Sequence, residues 1–139
     1  AADLVSENRT KMNNTAQLRE KLENDLKSFV PDLKFYGSQA DRLPNTSCFS
    51  MRGVEAEVQL VALDLEGVMV SSGSACSSGK VTKSHVLSAM GVPDAEASSA
   101  IRVSFGWQNN LRDVEALIVA WQNLYFNTRK QDQTRATAA

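Results

Sequence analysis

The apolar residues of this chain switch repeatedly between the three-to-four spacing of a helix and the two-residue spacing of a strand, and every strand-like run is short. That alternation constrains the fold more than any other feature. Residues 46–51 put Phe49 and Met51 on one face and Thr46, Cys48 and Ser50 on the other. Ile101, Val103 and Phe105 point one way, and Arg102 and Ser104 the other. Residues 33–37 are a further short strand candidate, and the apolar Val68-Met69-Val70 reads as a buried strand. Helix-period stretches lie between. A long one fills residues 1–30, with Met12, Ala16, Leu22, Leu26 and Phe29 at helical spacing and Pro31 as its stop. A second covers about residues 54–65, with Val54, Val58, Val61, Ala62 and Leu65 on one face and Gly67 after it. A short one is capped by Ser84 and ended by Gly91. The last starts at Asn110, with Asp113 as capping partner and Leu117, Ile118, Trp121, Leu124 and Tyr125 as its stripe. From Thr128 the chain is polar, loses its periodicity and reads as a frayed tail. Helices alternating with short strands give an α/β or α+β class, with one small sheet covered by helices.

Composition narrows the partners. The 139 residues suit one domain. Hydrophobic residues at 42% and charged residues at 22% are globular values, which argues against disorder. Fifteen basic residues against sixteen acidic ones leave a formal charge of -1, so no cationic field favours nucleic acid. No apolar run approaches the roughly 20 residues that span a bilayer, and no signal peptide is evident. Two cysteines in unlike surroundings make no disulfide framework, so a reducing, cytoplasmic setting is expected. With one histidine they also fall short of a zinc site, and no metal is expected.

Cys76 is the unusual residue. It sits in Ser71-Ser72-Gly73-Ser74-Ala75-Cys76-Ser77-Ser78-Gly79, where no bulky neighbour can bury it. By composition, residues 71–83 form a flexible loop. Lys80 and Lys83 follow, and nearby positive charge favours the reactive thiolate. A thiol on such a loop suits a group carrier, which accepts an atom in one place and delivers it in another. The plain alternative is a linker that happens to contain a cysteine. Arg102 has an apolar opposite face on its strand, and its fork of donors is suited to gripping a carboxylate; the alternative is a solvated surface arginine. His85, in the first turn of a short helix, reads as structural or solvated, and Cys48 as structural. A Cys48–Cys76 disulfide needs a geometry that sequence does not establish. No glycine-rich phosphate loop is present, and neither Lys80 nor Lys83 has a setting that would desolvate it for Schiff-base chemistry.

Three segments taken together closely resemble the C-terminal part of the cysteine desulfurases, pyridoxal-phosphate enzymes of the class V aminotransferase group. They are the serine-rich stretch around Cys76, Ser84-His85-Val86-Leu87-Ser88-Ala89-Met90-Gly91, and Ala100-Ile101-Arg102-Val103-Ser104-Phe105-Gly106. Leu43-Pro44-Asn45-Thr46 and Gly53-Val54-Glu55-Ala56-Glu57 also look like the family. The resemblance implies the small C-terminal domain of fold-type I pyridoxal-phosphate enzymes. Residues 1–30 would be a long helix leading in from a missing large domain, residues 31–127 the small domain with its cysteine loop at 71–83, and residues 128–139 the tail. It implies conversion of L-cysteine to L-alanine, with the sulfur kept as a persulfide on Cys76 and passed to iron–sulfur scaffold proteins or other acceptors. Arg102 would then hold the substrate carboxylate, while His85 matches a motif position without a role carried onto it. The pyridoxal phosphate would be bound by the missing domain, with no cofactor-binding residue in this chain, and the family suggests a homodimer. The chain is expected to be a C-terminal piece, inactive alone. Selenocysteine lyase, another class V activity, and a free-standing sulfur-accepting or scaffold-binding module are the alternatives.

Overall fold

The computed structural model describes the backbone of residues 2–73 and 84–138 and the side chains of residues 10–73 and 84–137. Its elements are α1 (Ala2–Phe29), β1 (Thr46–Ser50), α2 (Ala56–Leu65), β2 (Ser71–Ser72), α3 (His85–Ala89), α4 (Asp94–Ala97), β3 (Ala100–Ser104) and α5 (Leu111–Ala138). The three strands form one antiparallel sheet in the order β1-β3-β2. The mixed helix and small-sheet class expected from the alternation is what the structure has.

Strand parity divides the sheet into two faces. Phe49, Ile101 and Val103 turn toward α1, α2 and α5, where they join Leu22, Leu26, Leu63, Val114 and Trp121 in the main core. Aromatic edges tie this core together: Trp121 meets Phe49 at 5.9 Å and stacks on Tyr125 at 5.6 Å, while Phe29 meets Tyr125 at 5.5 Å. The opposite face carries a smaller cluster of Leu87, Ala97 and Ala100, with Tyr36, Cys48 and Val92 packed against it.

α2 is rotated from its expected orientation. Its buried residues are Ala56, Gln59 and Leu63, whereas Val58, Val61 and Leu65 face solvent. The cause is Gln59, whose buried side-chain amide donates to the carbonyls of Val54 at 2.9 Å and Ser99 at 2.7 Å. Those carbonyls would otherwise lose partners inside the protein, and that demand outweighs the valine stripe.

The strand expected at residues 68–70 is displaced. Pairing with β3 falls on Ser71 and Ser72, opposite Arg102 and Ile101. Val68 and Val70 still pack on the core, but Met69 is 87% exposed. Residues 33–37 form only a bridge, between Phe35 and Phe49. α5 also corrects the expected tail, since it continues helically past Thr128 to Ala138. No glycine or proline interrupts residues 107–139, and Thr134 and Thr137 bond back to the carbonyls of Lys130 and Gln133. These last turns are exposed and rest on backbone bonding and local propensity rather than packing.

The start of α5 is as expected. Asn110 accepts from the Arg112 backbone N–H at 2.9 Å, and Asp113 reaches back to accept from the Asn110 N–H at 2.9 Å. The Asn109 side-chain amide, donating at 3.1 Å, and the Asn110 N–H together hold the Asp113 carboxyl below the usual carboxylate range. Replacing Asn110 with Ala should cost about 1 kcal/mol, the usual loss for such a cap. Urea unfolding followed by circular dichroism checks this, and an unchanged midpoint would show that α5 does not depend on the cap.

Candidate functional site

β3 is the middle strand, so its outward side chains are fixed by hydrogen-bonded neighbours on both sides. Arg102 lies opposite Cys48 of β1 and opposite Ser71 of β2. Residues paired across antiparallel strands share a face. Cys48, Arg102 and Ser71 therefore form one row across the sheet, on the side away from the main core. The Ser71 hydroxyl donates to the Arg102 carbonyl at 3.2 Å, which reinforces the short β2 pairing.

The Arg102 side chain is exposed. The ion pairs of the described residues, such as Lys21–Asp25, Lys34–Glu96 and Arg42–Glu23, all lie elsewhere. Among the described residues no carboxylate engages this guanidinium. A planar fork of donors on a strand held from both sides can take an incoming carboxylate in a bidentate grip.

Cys48 is the member of the row that sequence reasoning treated only as structural. Its thiol is half-buried against Tyr36, Leu87 and Ala97, and the Tyr36 N–H bonds its carbonyl at 2.8 Å. Burial pushes the thiol up to about 11, and the Arg102 guanidinium offsets this only in part. Cys48 thus remains a protonated thiol at neutral pH, beside the candidate carboxylate grip.

Cys76 and Lys80 lie outside the described residues, and so does Lys83. Gly73 and Ser84 flank residues 74–83. Gly73 follows β2 directly, and a Cβ placed on it would lie 2.8 Å from the Ser84 Cβ. Only glycine allows the two stems to approach so closely. Ser84 in turn caps α3, accepting from the Leu87 N–H at 3.3 Å. The segment therefore leaves and re-enters beside the edge strand, two residues from Ser71, the cross-strand partner of Arg102. His85 is exposed in the first turn of α3.

The described lysines are committed elsewhere. Lys21 pairs with Asp25 and Lys34 with Glu96, each at 2.8 Å, and Lys27 lies over the Phe35 ring. Lys11 lies over Trp107, and Lys130 stands on the exposed end of α5. None of these described lysines pairs with a group of the Arg102 row. No group of three metal-ligating side chains occurs among them. No helix among them is long and apolar enough to cross a membrane.

Comparison with known proteins follows this geometry. The family model for aminotransferase class-V matches residues 1–117. A cysteine desulfurase of Cereibacter sphaeroides is 41% identical over 101 residues, covering 73% of this chain and 26% of that protein. The cysteine desulfurase IscS of Clostridium botulinum is 35% identical over 121 residues, covering 85% of this chain and 30% of that protein. The X-ray structure of a NifS-like protein from Rickettsia africae matches with a TM-score of 0.71 and 36% identity, over 82% of this chain and 29% of that one. The chain thus spans 26% to 30% of the length of these two curated relatives.

The state of Cys48 is directly measurable. In a Cys76→Ser protein, iodoacetamide should alkylate Cys48 slowly at pH 8, because about one thiol in a thousand is ionised three units below its pKa. The rate should climb about tenfold per pH unit toward pH 11. Rapid alkylation at pH 8 would show that burial does not hold the proton.

Proposed function

The chain belongs to the class V aminotransferase family, and on that premise we propose that it is the small C-terminal portion of a cysteine desulfurase. In this reading it receives sulfur from L-cysteine on Cys76 and passes it to iron–sulfur scaffold proteins or other acceptors. The observation that carries the reading is the row across the sheet. Arg102, an arginine without an acid partner among the described residues, stands one strand away from the stem of the segment that holds Cys76. In the sequence Cys76 is the third residue after Gly73.

The two residues divide the work. Arg102 binds the substrate carboxylate and so fixes where the substrate thiol lies. Cys76, as thiolate, is the nucleophile toward that sulfur. In the overall reaction the carbon–sulfur bond of cysteine breaks and a sulfur–sulfur bond forms on Cys76. The substrate β-carbon is reduced to the methyl group of alanine, and the transferred sulfur is oxidised to the persulfide level. Substrate thiol plus Cys76 thiol thus become alanine plus Cys76 persulfide, with all atoms and electrons accounted for. The class uses pyridoxal phosphate as its electron sink. Because the described lysines are committed elsewhere, the reading assigns that cofactor to a part of the protein beyond these residues. Cys48 does not compete as acceptor, since its proton is retained at neutral pH.

Three measurements test this reading. Cys76→Ser in the full-length protein should abolish protein-bound sulfur from labelled L-cysteine, and label retained on that variant would remove Cys76 from its role. Arg102→Ala should lower kcat/KM for L-cysteine by about 10- to 100-fold, the loss of one or two charged hydrogen bonds, mainly through KM. An unchanged KM would take Arg102 out of the site. The 139-residue chain alone, supplied with pyridoxal phosphate and L-cysteine, should form no alanine, and clear turnover would show that it holds the cofactor itself.

A further inference from the structure

A cavity of about 190 Å³ opens on the other side of the molecule, between the end of α1, the turn after β1, and α5. Its apolar wall is made by Val30, Leu33, Met51, Trp121 and Tyr125. Trp121 is fully buried, yet its indole Nε1–H has no hydrogen-bond acceptor among the described residues. A buried donor without a partner is costly and calls for an explanation. The volume is above the roughly 150 Å³ of an engineered apolar cavity that takes up benzene. A single ring with a short polar arm is therefore of the right size.

Charge at the mouth selects the arm. Lys34, Arg52 and Arg129 are balanced there by only two acids, Asp32 and Glu96. Glu96 is already taken: it accepts from Lys34 at 2.8 Å and from the Tyr36 hydroxyl at 3.3 Å. Arg129 is also committed, donating to the Arg52 carbonyl at 3.1 Å and lying over the Tyr125 ring at 5.0 Å. Arg52 is different, because its guanidinium makes no close ion pair among the described residues, although its charge reaches Glu96 and helps hold that carboxyl low. A tight turn presents it, closed by the Val54 N–H to the Met51 carbonyl at 3.0 Å, with Gly53 at φ 85° in the third position. That positive φ is what a type II turn demands of its third residue, and glycine supplies it. Arg129 anchors the same turn from α5 through the Arg52 carbonyl. Among the described residues, the cavity thus combines an apolar wall, one buried donor without an acceptor, and one cation without a close ion pair on a braced turn.

We propose that this cavity is a binding site for a small carboxylic acid with an apolar, ring-sized body. The body lies against Trp121, Met51 and Leu33, and the carboxylate is held at the mouth by Arg52. The site is distinct from the Arg102 row and does not depend on the desulfurase reading.

The chain contains two tryptophans, Trp107 and Trp121. Because Trp107 is 69% exposed, Trp107→Phe leaves Trp121 as the sole emitter with little cost to the fold. Titrating that protein with phenylacetate should give a saturable change in Trp121 fluorescence. The indole N–H resonance should shift in parallel by NMR. Phenylacetamide, which has the same shape and an acceptor oxygen but no charge, should bind at least tenfold more weakly. Arg52→Ala, at an exposed position, should weaken phenylacetate by a similar factor while circular dichroism stays unchanged. Absence of a saturable response would overturn the proposal. So would equal affinity for the acid and the amide, or an affinity indifferent to Arg52→Ala, since either would mean a cavity that takes up apolar bodies without recognising a carboxylate.

Discussion

The molecule depends on the double pairing of β3. Hydrogen bonds to β1 on one side and β2 on the other prevent the strand from rotating. With rotation blocked, strand parity does the rest. Ile101 and Val103 anchor the sheet to the helices, so Arg102 must project from the opposite surface. Slipping the strand by one residue would place a guanidinium in the core and an isoleucine in water. The burial that stabilises the fold therefore also fixes the direction of the candidate substrate grip.

The sequence shows how far such an argument carries before coordinates. Parity was legible: residues 46–51 and 101–105 alternate cleanly, and their buried and outward members fall as the alternation requires. Register was not. Nothing in the order of residues says that Cys48 faces Arg102, or that Ser71 rather than Val70 pairs with it, because register depends on how the turns and stems bring the strands together. The Asn110–Asp113 cap was legible because its partners are three residues apart. The orientation of α2 was not, because a buried glutamine outranked Val58, Val61 and Leu65 by serving two carbonyls, one of them forty residues away. The end of α5 failed for another reason. Periodicity reports what a helix buries, and these last turns bury nothing.

The two cysteines show how environment rather than identity sets reactivity. Cys48 sits on a strand among Tyr36, Leu87 and Ala97, and desolvation keeps its proton in place even with a guanidinium nearby. Cys76 has neighbours too small to enclose it by local packing. If Arg102 alone decided the matter, Cys48 would be the activated thiol. Burial wins because removing water from a thiolate costs more than one exposed, water-screened cation returns. The division of labour in the proposed sulfur transfer follows from that ordering.

The two faces of the sheet also differ in what they leave available. On the Arg102 face the guanidinium is open to water, while the Cys48 thiol beside it is half-buried. On the helical face nearly every group is packed, and the indole nitrogen of Trp121 is one of four buried polar atoms left without a partner among the described residues, with Arg19 Nε, Arg42 Nη1 and Gln59 Oε1. Trp121 touches Phe49 and Tyr125, and through them joins the sheet to α1. It cannot turn its nitrogen toward water without giving up those contacts. The unpaired donor therefore stays where packing puts it, and the ring that carries it lines a cavity whose mouth holds Arg52. A carboxylate brought from outside can reach that arginine without disturbing the core.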